Sequence, residues 1–232
     1  MDIQLITTFL RRIAEHNDRA WFAAHKDEYA AARGEFERGI AAAIARISTF
    51  DPSVAHITVK DATYRFYRDT RFSKDKAPYK RHFGAYIAAH GKKAMHGGYY
   101  IHIEPGHCML CIGNYELPTN VLTACRSEIE GNSAEWLRCV TSDEFVTFFS
   151  SSGETAGCDD ARGFGLQRLK TCPAGFSRES KMLGYLRMKD YCCWHAVPDT
   201  FFSGEWLDGM ERVFRAGKPM MDFINAVVDD YE

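Results

Sequence analysis

The sequence predicts an α+β fold in which a central, mostly antiparallel sheet is flanked by N-terminal and C-terminal helices. Three observations lead there. Apolar residues recur at helical spacing near both ends of the chain, while short β-branched and aromatic runs separated by turn-rich segments fill the stretch from 55 to 113. Between two of those runs, Glu104-Pro105-Gly106-His107 is short enough to make a hairpin, which favours antiparallel pairing.

The elements follow in order. Ile3, Ile6, Phe9, Leu10 and Ile13 predict a helix over 3–16, which Asn17-Asp18 stops while supplying a new N-cap before Trp21-Phe22. A second helix is expected to run to Ile47, with Phe22, His25, Tyr29, Phe36, Ile40, Ile44 and Ile47 on one side and Gly34 and Gly39 as points of bending. Strands are expected over 63–67, 83–87, 99–103 and 109–112. After Pro118, Val121, Leu122, Cys125 and Ile129 form one apolar stripe, and residues 136–149 supply another. Residues 150–163 read as a loop and 185–197 as a strand. Two final helices are expected over 203–216 and 219–228, the second opened by Pro219 in its tolerant first turn. The expected core contains Phe9, Leu10, Phe22, Phe36, Ile44, Phe66, Ile87, Ile101, Ile103, Leu122, Ile129, Phe145, Leu186 and Phe223.

At 232 residues, with 46% hydrophobic and 26% charged residues, the chain can bury a large core without disulfide or metal staples, and it falls outside the disordered and collagenous classes. Without an internal repeat or a linker-like shift in composition, residues 1–232 read as one domain. A net charge of −2 removes the global basic field expected of a nucleic-acid binder, so nucleic acid is not an expected partner. Asp2 stands where a secretory signal would carry positive charge, and no stretch reaches the roughly 18 apolar residues of a membrane span. A cytoplasmic location is therefore expected, with the eight cysteines reduced and mostly buried.

Charge is distributed unevenly. Residues 60–82 hold eight basic residues (Lys60, Arg65, Arg68, Arg71, Lys74, Lys76, Lys80, Arg81) against Asp61, Asp69 and Asp75, an excess of five positive charges that leaves seven negative on the rest of the chain. Within this stretch, the fifteen residues from Phe66 to Lys80, Phe-Tyr-Arg-Asp-Thr-Arg-Phe-Ser-Lys-Asp-Lys-Ala-Pro-Tyr-Lys, resemble the signature of a family of conserved hypothetical proteins, domain of unknown function 2461. Supporting matches are Asn17 with Trp21-Phe22 and Lys26, the run from Gly98 to Gly106, and Pro173 with Gly175-Phe176. The resemblance covers nearly the whole chain and implies no particular activity.

The residues themselves point to an anion site. Arg65, Arg68, Arg71, Lys74, Lys76 and Lys80 offer guanidinium forks and ammonium charges to a small phosphate-bearing ligand, with Tyr100 and His102 from the neighbouring strand. Alternation puts Tyr100, His102 and Glu104 on one polar face, making His102 the candidate acid or base; if Arg65 and Tyr67 share that face, a cleft forms under the basic loop. Asp69 and Asp75 are expected to hold the basic side chains and loop backbone in place. The competing reading is an interaction module whose basic loop docks an acidic protein partner; a concave pocket containing His102 separates the two. Cys108-x-x-Cys111 is not expected to bind metal, because residues of opposite parity on a strand point apart. No Walker-type loop, nucleophile elbow, HExxH or dinucleotide fingerprint is present, so no cofactor is expected.

Overall fold

A computed structural model describes residues 1–149 and 162–232. Helix α1 (Ile3–Glu15) opens with the Asp2 carboxylate accepting from Leu5 N at 3.0 Å, and it buries Ile3, Ile6, Phe9, Leu10 and Ile13. Asp18 caps α2 (Arg19–Ala24) in the same way through Trp21 N at 2.8 Å. The long helix expected next is broken: α3 (Lys26–Ser48) begins only after His25. The His25 ring nitrogen lies 2.7 Å from the Trp21 carbonyl, and its backbone N–H turns to Phe22 O, so the side chain competes for the acceptor a continuing helix would use. Gly34 and Gly39 sit within α3 without interrupting it.

The sheet is formed by β1 (Phe83–Ile87), β2 (Gly98–Ile103), β3 (Met109–Asn114), β4 (Arg162–Phe164) and β5 (Tyr191–Ala196) in the order β1-β2-β3-β5-β4, every pair antiparallel. The fold is α+β. Phe83, Ala85, Ile87, Tyr99, Ile101, Ile103, Leu110 and Ile112 belong to one continuous buried cluster with the apolar stripes of α1 and α3. The C-terminal helix α9 (Trp206–Val228) completes that layer, lying so close that a Cβ on Gly217 would come within 2.4 Å of Ile112 Cγ2. Of the expected core, only Phe223 is not fully buried; it packs against Trp136 at the edge.

Other local expectations are corrected. Residues 63–67 form no regular strand: short α4 (Val59–Ala62) leads into them, and they make only single bridges, Thr63 to Ala85 and Tyr67 to Tyr79. The chain folds back on itself here, with Arg68 N bonded to Pro78 O at 2.9 Å and Lys80 N to Phe66 O at 3.0 Å. Pro78 has no N–H with which to extend that ladder, so residues 63–82 become a short antiparallel arm with 69–77 at its tip. The stripe over 136–149 is two helices, α6 (Ser133–Val140) and α7 (Asp143–Phe148), because Ser142 caps the second through Phe145 N; both follow α5 (Thr119–Gly131). Residues 185–197 are not all strand: α8 (Leu183–Leu186) precedes β5, and Asp190 marks the corner by accepting from Leu166 N and Gln167 N. Pro219 opens no new helix but lies inside α9. It is exposed, and burial of Phe214 and Met210 on one side and Met220 and Ile224 on the other outweighs a cost of about 3 kcal/mol. Of the expected 150–163 loop, residues 150–161 lie outside the described residues, and Arg162 and Gly163 belong to β4.

Where the sheet meets the short helix after Pro52, Tyr99 donates to Asp51 Oδ2 at 2.7 Å within the core. Burial alone would raise the Asp51 carboxyl; hydrogen bonds from Ser53 and Tyr99 and the Lys218 charge outweigh it and hold the group below its ordinary range. Tyr99→Phe is expected to cost about 1.5–3 kcal/mol at neutral pH. A depressed carboxyl contributes stability above its unfolded pKa of about 3.9 and loses it as pH falls through the lower folded value, so the gap between parent and variant should narrow below about pH 4. Urea midpoints at both pH values check this, and an unchanged gap would contradict it.

Candidate functional site

Period-two alternation gives the sheet a second face. Cross-strand neighbours Gly84 and His102, Tyr86 and Tyr100, Tyr100 and Cys111, and Cys111 and Trp194 point away from the α1, α3 and α9 layer. Cys111, Cys192 and Trp194 form a small apolar cluster there with Tyr100, Met109 and Leu166. Cys108 belongs instead to the main core, so the two cysteines of the CxxC pair lie on opposite sides of the sheet. Gly84 makes room for the Tyr100 ring, which crosses it so closely that a Cβ would sit 2.7 Å from the hydroxyl.

Along β2 the polar side chains join in a row. Tyr100 Oη is 2.9 Å from His102 Nδ1, and His102 Nε2 is 3.2 Å from Glu104 Oε2. His102 is only 8% exposed, so these contacts replace water rather than supplement it. His82, just before β1, comes alongside: its ring centroid is 4.4 Å from that of His102, and its Nδ1 is 3.9 Å from Glu104 Oε2. Burial first, and then the His102 and Lys80 charges, push His82 down to about 4, leaving a neutral imidazole at physiological pH. The Glu104 carboxyl is held below its usual range, chiefly by the His102 hydrogen bond. Such a row can pass a proton between a phenol, an imidazole and a carboxylate, and it presents nitrogen and oxygen donors to a ligand.

The basic residues separate into two sets. At the arm tip they are paired locally: Arg68 with Asp75 at 2.6 Å, Arg71 with Asp69 at 2.6 Å, and Lys76 with the Thr70 carbonyl at 3.0 Å, while Lys74 is exposed. Asp69 also accepts from Arg71 N, and Asp75 from Ala77 N, so both carboxylates brace the turn backbone. Arg71 is 77% exposed and Arg68 27%, so Asp75 holds the more buried guanidinium. Phe72 follows Arg71 at the tip, 94% exposed.

The second set gathers at the arm base around Tyr64. Lys80 Nζ lies 5.1 Å and Lys92 Nζ 5.6 Å from the Tyr64 ring centre, Arg33 donates to the Tyr64 carbonyl at 3.0 Å, and the ring meets Tyr100 edge-on at 6.3 Å. Lys80 is pushed below the ordinary lysine range by burial, then by the Arg65 and Arg33 charges. It has no acidic partner within ion-pair distance among the described residues. Tyr67 does not share the face of Tyr100 and His102 as the expected cleft required. Tyr64 reaches Tyr100, while Tyr67 packs on Phe22 and Tyr79, because the arm twists instead of continuing the sheet. Asn17 fastens that twist, exchanging hydrogen bonds with the Tyr79 backbone at 3.0 and 3.1 Å. Two cavities lie elsewhere and neither is lined by His102: a cleft of about 1,040 Å³ between α5 and α9 and a pocket of about 300 Å³ beside His96.

A family model described as conserved hypothetical protein (DUF2461) matches residues 6–223. The chain belongs to that family. Neither a curated protein nor a solved structure matches it. Membership in DUF2461 joins the arm, the Tyr100-His102-Glu104 row and α9 in one family domain model, since all three fall within the matched residues apart from the last turn of α9. His82, Lys92, Arg33 and Tyr64 escape sequence reasoning; the signal for His82 was parity, since pairing Phe83 with Ile103 sets residue 82 opposite 104. Among the described residues no helix is long and apolar enough to cross a membrane.

Proposed function

We propose that the open sheet face bounded by Tyr64, Lys80, Tyr100 and His102 binds a small anionic ligand carrying a phosphate group, in a reduced, cytoplasmic setting. Lys80 carries this reading. A half-buried ammonium whose electrostatic neighbours are cations stores unfavourable energy that an incoming anion releases, and Arg65 adds a second charge at the rim. Tyr100 and His102 supply hydrogen bonds, and His102 is the group placed for acid or base work.

A thermal-shift series with inorganic phosphate, pyrophosphate and adenosine diphosphate tests the proposal. Pyrophosphate should raise the parent's melting temperature. Lys80→Met should melt at or above the parent without ligand, since it relieves repulsion, and should lose the ligand-induced shift. If no phosphate compound raises the parent's melting temperature at millimolar concentration, the reading fails.

A second reading rests on Phe72. A fully exposed aromatic among Arg68, Arg71, Lys74 and Lys76 suits docking on an acidic protein partner. It uses the arm tip, where the local ion pairs are exposed and exchangeable.

A further inference from the structure

We propose that His82, His102 and Glu104 form a binding site for a first-row transition-metal dication. The three donor atoms, one from each residue, lie within 4.8 Å of one another. Glu104 Oε2 is 3.2 Å from His102 Nε2 and 3.9 Å from His82 Nδ1. Around a tetrahedral ion with bonds of about 2.0–2.2 Å, neighbouring donors stand about 3.3–3.6 Å apart, so Glu104 is already near that spacing from each imidazole and side-chain rotation closes the remaining separation. Two imidazoles and one carboxylate select zinc, iron, cobalt or nickel over magnesium or calcium, whose sites are built from oxygen. Three protein ligands leave at least one position open, as in sites that act on a bound molecule.

The surroundings match that use. His102 Nδ1 is engaged by the Tyr100 hydroxyl at 2.9 Å; an ion takes the place of the proton between His102 Nε2 and Glu104, and the ring then keeps its proton on Nδ1 and donates it to Tyr100. Gly84 supplies the space that keeps Tyr100 in this position. The other histidine cluster, His90, His96 and Glu232, is the more open of the two: His90 and Glu232 are exposed and only His96 is buried.

The proposal does not depend on the anion reading, because it is tested with metal alone. Zn²⁺ affinity is measured by competition with a chromophoric chelator, and Co²⁺ serves as the spectroscopic probe, on the full chain with folding checked by circular dichroism. The parent should bind one equivalent of Zn²⁺, and its Co²⁺ form should show visible d–d bands without thiolate charge transfer. Glu104→Gln, which keeps the shape, and His82→Ala should each weaken binding at least tenfold; Tyr100→Phe should weaken it about tenfold through the lost support, and His90→Ala should leave it unchanged. Absence of Zn²⁺ binding, affinity preserved in both Glu104→Gln and His82→Ala, or thiolate charge transfer revealing cysteine ligands would each overturn the assignment.

Discussion

Gly113→Ala is expected to destabilise the fold by about 4 kcal/mol or more, enough to deplete soluble protein on expression. Gly113 occupies the middle strand β3, bonded to β2 on one side and β5 on the other, with φ at +119°. An L-residue rarely adopts that backbone conformation, and holding one there costs about 1–3 kcal/mol. The added methyl would also sit 2.1 Å from the Tyr191 carbonyl oxygen, which is backbone in the adjoining strand and cannot rotate aside. Relief therefore requires β3 and β5 to separate, and with them both the main core and the cluster under Trp194. Urea unfolding of the variant measures the loss; a melting temperature within two or three degrees of the parent would contradict this account of the strand.

Asp190→Ala should cost about 3–5 kcal/mol, with Asp190→Asn intermediate because it keeps one acceptor oxygen. The carboxylate is 3% exposed and accepts from Leu166 N at 2.9 Å, Gln167 N at 3.0 Å and Cys192 N at 3.4 Å. Removing it leaves these donors without an acceptor at the corner that ties the segment after β4 to the start of β5. Leu166 packs against the Cys111-Cys192-Trp194 cluster, so the open sheet face should loosen too. Denaturant titration of both variants decides the matter, and a loss under about 1 kcal/mol for alanine would show the donors finding other partners.

The outer helices and the central hairpin were legible in the sequence because each rests on local information. The α1 stripe faces one way between Asp2 and Asn17-Asp18, and the turn at 104–107 sets the pairing of β2 with β3. Residues 63–67 misled because alternation describes which residues are buried, not whether a neighbouring strand exists. Phe66 is buried and Arg65 exposed as a strand requires, yet the segment's partner is its own return past Pro78. Pro219 misled because a local propensity lost to tertiary burial on both sides of it.

In the site, Tyr100, His102 and Glu104 were visible through period two. His82, Lys92 and Arg33 were not: the first depends on strand register, and the other two reach Tyr64 from the loop after β1 and from α3. The division of the basic residues between a tip whose arginines pair with its own aspartates and a base where, among the described residues, Lys80 has no acidic partner could not be read from charge at all.

That division is the centre of the account, and calorimetric titration of pyrophosphate into the parent, Lys80→Met and Lys74→Ala tests it most directly. Lys74→Ala should bind within about threefold of the parent, and Lys80→Met should bind at least tenfold more weakly, a loss of about 1.4 kcal/mol or more. Should Lys80→Met bind like the parent while Lys74→Ala loses affinity, the anion site would lie on the arm tip and the open sheet face would lose its assigned role.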